Sequence, residues 1–317
     1  MSKKIYILLF VAALHSSVFS LSDENFKKIC SDALSGRDGA IILADAKSGR
    51  IIAAVGSDDI LDGRRFFPPG SVFKIVTALA ALENGISPDE KVKCTYWYNA
   101  PDGRMRCSWY PGHGLVDMKR AISVSCSFYF YHLVDEGISP QKIMNTASLL
   151  GFDESPAKNV PPVRWRKLKT ANFPYMFAIG LRGVEVSPYH ILRMIYAVAN
   201  RGIAPFNCEN FPQGASRISR KNYYIVRAGL RSAVVDGIAK SAAPENIPSA
   251  GKTGTAPLTE NPEMTCGWFA GYIPSEYPQY LLVVLIIDGT GFSDAAPVAG
   301  KIFKILYRES IIIEEKR

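Results

Sequence analysis

The order of apolar and polar positions predicts a chain with strands at both ends and helices between them. Residues 39–44 and 50–55 alternate as the two arms of a β-hairpin do, whereas apolar residues recur at helical spacing over residues 187–200. Three more strands are predicted after residue 249, followed by a last helix over residues 298–307. We therefore expect one sheet assembled from both ends of the chain, with an inserted helical lobe over about residues 86–190.

A helix predicted to begin at Ser71 is apolar on every side as far as residue 82, so it belongs in the protein interior. Lys74 is the only charged side chain in it, and desolvation lowers the pKa of a buried lysine. The three-residue spacing puts this amine on the same helix face as the Ser71 hydroxyl. The pair is a candidate nucleophile with its own base. Taken alone, the motif is equally compatible with a helix cap beside a lysine that reaches solvent.

Two other segments carry hydroxyl groups and a cation in an apolar context. The first has three serines directly before an aromatic run: Ser123, Ser125 and Ser127. The simplest interpretation of any one of them is the N-cap of a helix. Residues 250–256 read Ala-Gly-Lys-Thr-Gly-Thr-Ala, a strand whose glycines allow a ligand to approach the backbone closely.

The amino-terminal residues predict export. A basic start is followed by ten apolar residues, too few to cross a bilayer, and then by small residues near Ser20. We predict a signal peptide over residues 1–20 and a single domain over residues 21–317, with an uncleaved anchor as the alternative. Removing Lys3 and Lys4 with the leader lowers the formal charge from +8 to +6. This basic balance in an exported chain disfavours nucleic acid and is compatible with anionic polymers, with carboxylate substrates, or simply with solubility.

Six cysteines in an exported chain predict disulfides rather than metal ligands. Cys94 and Cys107 flank one polar loop and are the favoured pair. The sequence contains no Cys-x-x-Cys and no His-x-x-x-His, so we expect neither a zinc site nor any other cofactor.

Together and in this order, the three segments resemble those of the penicillin-binding protein transpeptidases and the related serine β-lactamases. The resemblance extends to Phe-Phe-Pro-Pro-Gly before Ser71, to Gly-His-Gly at residues 112–114, and to Gly-Trp-Phe-Ala-Gly-Tyr at residues 267–272. It covers most of the chain from about residue 38 to residue 305. It implies an α/β (α+β) fold, a five-stranded antiparallel sheet flanked by helices and carrying an all-helical lobe.

The resemblance also implies a reaction. Ser71 would attack a D-alanyl-D-alanine bond of a peptidoglycan stem peptide, Lys74 would accept its proton, and Ser125 would relay a proton to the leaving amine. The substrate-binding residues implied are Ser127, Lys252, Thr253, Gly254 and Thr255. The backbone N–H groups of Ser71 and Thr255 would form an oxyanion hole. β-Lactams would acylate the same serine, the location would be the bacterial periplasm or envelope, and a glycan-polymerising or envelope protein is a possible partner. Membrane association is expected only if the leader is retained.

One position departs from the family pattern, because the family has asparagine where this chain has Ser127. A serine side chain is too short to hold both a substrate amide and the catalytic lysine with the same geometry.

Two rival functions follow from the residues. A serine β-lactamase needs a group that activates water, and no Glu-x-x-Leu-Asn is present to supply it. A non-catalytic penicillin sensor or envelope scaffold is the second rival, against which the retained Ser71, Lys74, Ser125 and Lys252 argue.

Overall fold

The structure is a computed structural model, and it describes residues 22–203, 212, 214–244, 247–258 and 263–308. The predicted signal peptide lies outside these residues. The strands are β1 Gly39–Asp45, β2 Ile51–Gly56, β3 Val92–Cys94, β4 Trp97–Ala100, β5 Gly103–Arg106, β6 Gly114–Val116, β7 Arg164–Trp165, β8 Val184–Glu185, β9 Ala250–Pro257, β10 Thr265–Ile273 and β11 Tyr280–Ile287. The helices are α1 Asp23–Leu34, α2 Asp58–Leu61, α3 Lys74–Glu83, α4 Met118–Ser123, α5 Ser127–Asp135, α6 Pro140–Leu149, α7 Phe173–Ala178, α8 Pro188–Ala199, α9 Arg220–Val235 and α10 Ala296–Arg308.

The central sheet joins the two ends of the chain. Its five strands lie in the order β2-β1-β11-β10-β9, and every neighbouring pair is antiparallel. In the register between β1 and β11, Gly39 lies opposite Ile286 and Asp45 lies opposite Tyr280. The predicted five-stranded antiparallel sheet is therefore confirmed, and β9 is an edge strand.

Both faces of the sheet are covered, which the alternation of side chains along β1 shows. Ile42 belongs to a large apolar core on the face that carries α3, α8 and the helical lobe, whereas Ile41 and Leu43 belong to a second core under α1 and α10. Antiparallel strands that bury both faces need helices on both sides, and here the two terminal helices cover one of them.

The apolar helix is buried as predicted, but it begins later. Residues Gly70–Phe73 form a 3₁₀ turn, and the α-helix proper starts at Lys74. Gly70 has a φ of +54°, and a Cβ built on it would lie 2.6 Å from the Thr255 carbonyl oxygen. The chain therefore turns sharply beside β9 before it can enter the helix, because only glycine tolerates both the dihedral angle and the close approach.

The helical lobe contains small strands that hydrophobic periodicity did not predict. Strands β3 and β6 pair with each other, as do β4 with β5 and β7 with β8. All six have between two and four residues, too short for an alternating pattern to be read. Over the described part of the chain, no helix is both long and apolar enough to cross a membrane.

Candidate active site

A cleft of about 440 Å³ lies where the three hydroxyl-bearing segments meet. The members of those segments that line it are Ser71, Ser125, Ser127, Thr253, Gly254 and Thr255. These side chains come from the 3₁₀ turn, the approach to α5, and the edge strand β9. The fold thus brings together hydroxyl groups that lie more than 180 residues apart along the chain.

Close backbone packing fixes the position of Ser71 against β9. The Gly70 N–H donates to the Gly180 carbonyl at 2.9 Å, and a Cβ on Gly254 would lie 2.7 Å from the Pro69 carbonyl oxygen. The glycines on either side of the contact leave no space for a methyl group. Ser71 is therefore held beside the edge strand by main-chain contacts rather than by its own side chain.

Lys74 lies behind the cleft and is completely buried. Its Nζ donates to the Ser125 carbonyl at 2.9 Å and to the Ser127 Oγ at 2.9 Å, with a longer contact of 3.5 Å to the Ser125 Oγ. Burial lowers the pKa of Lys74 from 10.5 to about 8, an effect that negative charge on the nearby Cys107 and Cys126 sulfurs partly opposes. The amine is thus a base that can accept a proton close to neutral pH, as the sequence predicted.

The second segment adopts a conformation that the N-cap interpretation did not anticipate. Ser125 has a φ of 57°, in the left-handed region, and Cys126 rather than a serine is the N-cap of α5. A non-glycine residue in this region is strained, and it keeps the conformation only where the surrounding structure fixes it. Here the reversal turns the Ser125 carbonyl toward Lys74, so the strain has a structural consequence at the candidate base.

Ser127, the departure from the family pattern, still contacts the lysine. Its hydroxyl accepts the 2.9 Å hydrogen bond from Lys74 while it also lines the cleft. The shorter serine side chain therefore still provides an acceptor for the lysine.

Strand β9 supplies the third part of the site. Lys252 is completely buried, and its Nζ donates to the Thr253 carbonyl at 3.0 Å. Burial, and then the positive charge of Lys74, lower the pKa of Lys252 well below its ordinary value. The Thr255 Oγ1 accepts from the Gly291 N–H at 2.9 Å, which orients that hydroxyl at the cleft edge. The two threonines line the cleft, whereas Lys252 and Lys74 lie behind its wall.

Residues outside the three segments complete the wall. Tyr131 and the exposed Arg106 line the cleft on the helical-lobe side, and Phe292 lines it on the opposite side. Sequence reasoning missed Arg106 and Phe292, whereas Tyr131 belongs to the aromatic run of residues 128–131, which the sequence predicts to be core and cleft wall. Its position one helical turn after Ser127 was the available signal, since residues four apart share a helix face.

The predicted disulfide between Cys94 and Cys107 is wrong, because both cysteines are free. They lie instead in a cluster with His113 and Cys126, whose four ligand atoms are all within 4.8 Å of one another. This group has the donor chemistry of a metal site, against the expectation that none would be found. Separately, Glu90, His132 and Glu136 lie within the same distance of one another on the surface, where His132 approaches Glu90 at 3.3 Å.

Comparison with known proteins identifies the group to which this architecture belongs. The family model described as "Penicillin binding protein transpeptidase domain" matches residues 39–305. The chain is 23% identical to peptidoglycan D,D-transpeptidase MrdA of Acinetobacter baumannii over 89% of its own length and 52% of that protein. It is 26% identical to penicillin-binding protein PbpB of Mycolicibacterium smegmatis, covering 86% of this chain and 50% of that one. The chain thus spans about half the length of these relatives.

Solved structures share the fold. A complex between penicillin-binding protein PBP2 and MreC from Helicobacter pylori matches with a TM-score of 0.79 at 23% identity, covering 91% of this chain and 63% of that one. A structure described as a peptidoglycan glycosyltransferase from Burkholderia ambifaria matches with a TM-score of 0.80 at 19% identity, covering 93% and 98%. The family model covers most of the chain. The chain therefore belongs to the penicillin-binding protein transpeptidase domain family.

Proposed function

We propose that the protein is a serine D,D-transpeptidase or D,D-carboxypeptidase that acts on D-alanyl-D-alanine stem peptides of peptidoglycan and is acylated by β-lactams. One observation carries the proposal: a completely buried lysine with a pKa near 8 donates to Ser125 and Ser127 at a cleft that Ser71 also lines. A general base next to an alcohol nucleophile is the requirement of acyl transfer.

In the proposed acylation step, the Ser71 hydroxyl oxygen attacks the carbonyl carbon of the penultimate D-alanine while Lys74 accepts its proton. Ser125 passes a proton from Lys74 to the departing D-alanine nitrogen as the peptide C–N bond breaks. The 3.5 Å contact between Lys74 Nζ and Ser125 Oγ supports this relay. The backbone N–H groups of Ser71 and Thr255 form the oxyanion hole, where one donor is worth about 3–4 kcal/mol in other enzymes.

We expect the edge strand β9 to bind the substrate. Gly254 keeps β9 close to the nucleophile turn, and the Thr253 and Thr255 hydroxyls face the cleft where the terminal carboxylate would lie. Because Lys252 does not line the cleft, it would support the carboxylate site through its hydrogen bond to the Thr253 carbonyl rather than by direct contact with the substrate. Ser127 would contact the substrate backbone from the other side.

The rival serine β-lactamase needs a group that activates water against the acyl-enzyme. Among the described residues that line the cleft, none is a carboxylate or a histidine. A long-lived acyl-enzyme is therefore the expected outcome with a β-lactam. The non-catalytic scaffold remains the rival of another class, and it predicts that no acyl-enzyme forms.

The cellular setting is also proposed. The leader over residues 1–20 would direct the chain to the periplasm or cell envelope, with residues 21–317 as one catalytic domain, attached to the membrane only if the leader is retained. The H. pylori structure that shares this fold is a complex with MreC. That complex supports an envelope or glycan-polymerising partner for this chain.

The test is labelling of the purified protein with a fluorescent penicillin, followed by intact-mass measurement over time. We expect one adduct on Ser71 that persists for hours and is absent from Ser71→Ala. Ser139→Ala is the matched control, since Ser139 begins another Ser-x-x-Lys and serves as the N-cap of α6. Loss of the adduct within seconds would establish the β-lactamase, and no adduct on a folded protein would establish the scaffold.

A further inference from the structure

A group of large aromatic side chains is exposed on the helical lobe. Trp97, Trp109 and Tyr110 are 48%, 62% and 75% exposed, whereas aromatic side chains of this size are mostly buried in soluble proteins. These three side chains and the half-buried Tyr96 form the aromatic surface. A single exposed apolar side chain is ordinary, but several together mark a surface to which another molecule binds.

Contacts within the aromatic surface hold its rings in place. The ring centroid of Tyr96 lies 4.9 Å from that of Trp97 and 5.3 Å from that of Tyr110, and both pairs meet edge to face. The Cys107 N–H donates to the Tyr96 carbonyl at 2.8 Å. A Cβ on Gly112 would lie 2.8 Å from the Tyr96 nitrogen, so the loop after Tyr110 packs closely onto this backbone. Because the rings are already ordered, binding a ligand costs little further conformational entropy of the protein.

The aromatic surface is continuous with the cleft. In the hairpin of β4 and β5, Trp97 lies directly opposite Arg106, so the two side chains share one face. Arg106 and Ser108 line the cleft, and Arg106 is the one charged side chain among the described residues that do so. The Ser108 Oγ donates to the Ser125 carbonyl at 3.4 Å, and Trp109 follows Ser108 directly. The aromatic surface therefore begins where the cleft wall ends.

Positive charge surrounds the aromatic surface. Residues 91–116 carry four basic side chains and one acidic side chain, all exposed: Lys91, Lys93, Arg104, Arg106 and Asp102. Arg104 and Arg106 lie two residues apart on β5, so both share the hairpin face of Trp97. Over the described residues, no carboxylate forms a salt bridge with either arginine. A ligand with carboxylates is therefore favoured, because a guanidinium binds a carboxylate through two parallel hydrogen bonds.

Rings next to guanidinium groups suit a sugar polymer that carries acidic peptides. The face of an aromatic ring carries partial negative charge and attracts the C–H groups on the flat side of a sugar ring. The indole N–H and the phenol O–H at the ring edges can bond the sugar hydroxyls. A bilayer or a protein lying flat on this face would cover Arg106 and obstruct the cleft. A strand whose attached peptide occupies the cleft would instead run along the aromatic surface and leave the cleft in use.

We propose that the aromatic surface, with Arg104 and Arg106, binds the glycan strand of peptidoglycan beside the stem peptide that occupies the cleft. This rests on the proposed function and extends its substrate from a peptide to the polymer that carries the peptide. The rings bind the sugars, and the two guanidinium groups bind carboxylates of the stem peptides. The aromatic residues do not touch the reacting atoms, so their contribution is to affinity for the polymer.

Binding tests the proposal without turnover. Soluble, uncross-linked glycan chains that carry pentapeptides ending in D-alanyl-D-alanine are titrated into Ser71→Ala by calorimetry, and the free pentapeptide is titrated in parallel. We expect the chains to bind about tenfold more tightly than the pentapeptide. Adding Trp109→Ala or Tyr110→Ala should weaken chain binding roughly fivefold, whereas Trp109→Phe, which keeps a ring, should retain most of it. Equal affinities for chains and pentapeptide would overturn the proposal.

Tyr224→Ala is the matched control, because Tyr224 is an exposed tyrosine on α9 with the Arg201 guanidinium 5.5 Å from its ring centroid. This variant should bind the chains as its parent does, and a loss equal to that of Tyr110→Ala would contradict a specific surface. Arg104→Met should also weaken binding, and amidation of the stem-peptide carboxylates should weaken it in the parent but not further in Arg104→Met. Unchanged binding in both cases would overturn the role of the guanidinium groups.

Two further measurements separate this proposal from its rivals. Sedimentation with vesicles of phosphatidylglycerol and phosphatidylethanolamine tests a bilayer, and analytical ultracentrifugation tests self-association. Either one, if abolished by Trp109→Ala in a protein that does not bind glycan chains, would overturn the proposal. A wild-type protein that binds the chains but is never labelled by a fluorescent penicillin would count against the proposed function and leave the glycan surface intact. Labelling without preferential chain binding would refute the glycan surface alone.

Discussion

Burial of Lys74 makes a quantitative prediction for the variant Lys74→Met. Methionine fills a similar volume without a charge, so the substitution removes both the candidate base and the burden of desolvating an ammonium group. We expect a variant that no longer reacts with penicillins. Its stability relative to wild type should change with pH in a way that the lysine alone determines.

The sign and size of that change follow from the pKa. Below pH 8 the side chain is protonated in both the folded and unfolded protein, so the folded state carries the whole penalty. Above pH 10.5 it is neutral in both, and the penalty has gone. Since a tenfold change in proton affinity is worth about 1.4 kcal/mol, lowering the pKa from 10.5 to about 8 corresponds to roughly 3 kcal/mol. The free energy of unfolding of the wild type should therefore rise by that amount relative to Lys74→Met as the pH increases from 8 to 10.5.

Urea unfolding of both proteins at several pH values measures this difference. The hydrogen bonds lost with the lysine change the difference in unfolding free energy between the two proteins by an amount that does not depend on pH. Only the pH dependence of that difference therefore measures the cost of burying the ammonium group. Lys301→Met on α10 is the matched control, because Lys301 is an exposed lysine on a helix. A difference between wild type and Lys74→Met that stays constant across this interval would refute the burial of the charged group. That result would also refute the proposed mechanism, which requires a Lys74 amine of low pKa as the general base.

Other predictions concern the same site. Acylation by a penicillin should speed up as the pH rises through about 8, because Lys74 then loses its proton; a pH–rate profile measures it, and a flat one contradicts it. Gly70→Ala should lower stability by more than the ~1 kcal/mol expected of Gly36→Ala and slow acylation at least tenfold. Both glycines have positive φ, but only at Gly70 does a methyl group meet backbone; thermal unfolding and labelling rates compare them, and equal losses would contradict the prediction. Ser127→Ala removes an acceptor from Lys74 and should slow labelling roughly tenfold or more, whereas Ser123→Ala removes a buried hydroxyl without a partner and should leave the rate unchanged.

The parts of the fold with a long hydrophobic pattern could be predicted from the sequence. The all-apolar helix identified Lys74 as buried because a single charge in such a helix has no solvent-facing side on which to lie. The same pattern placed the start of the helix too early. The turn at Gly70 depends on contacts with Gly180 and Thr255, which are distant in sequence.

The thiol cluster could not be predicted for a related reason. Its four residues, Cys94, Cys107, His113 and Cys126, lie at three separate strand ends and one helix cap, and no pair has the short spacing of a local metal motif. The pairing of β3 with β6, each three residues long, is what brings Cys94 to His113. Ser125 likewise shows no sequence signal for a left-handed conformation, because the Lys74 amine that its carbonyl meets comes from another helix.

The joining of the central sheet from its two ends has a consequence for biosynthesis. Strand β1 is made early, but its partner β11 and the edge strand β9 emerge only after the whole helical lobe has been synthesised. Pairing across so long a separation is slow, and it cannot be completed until residues 250–287 are available. A nascent or truncated chain would therefore contain the serine and the lysine without their opposing threonines. Reactivity should therefore appear only once β9 and β11 have been synthesised, so products that end before residue 250 should be inert toward penicillins.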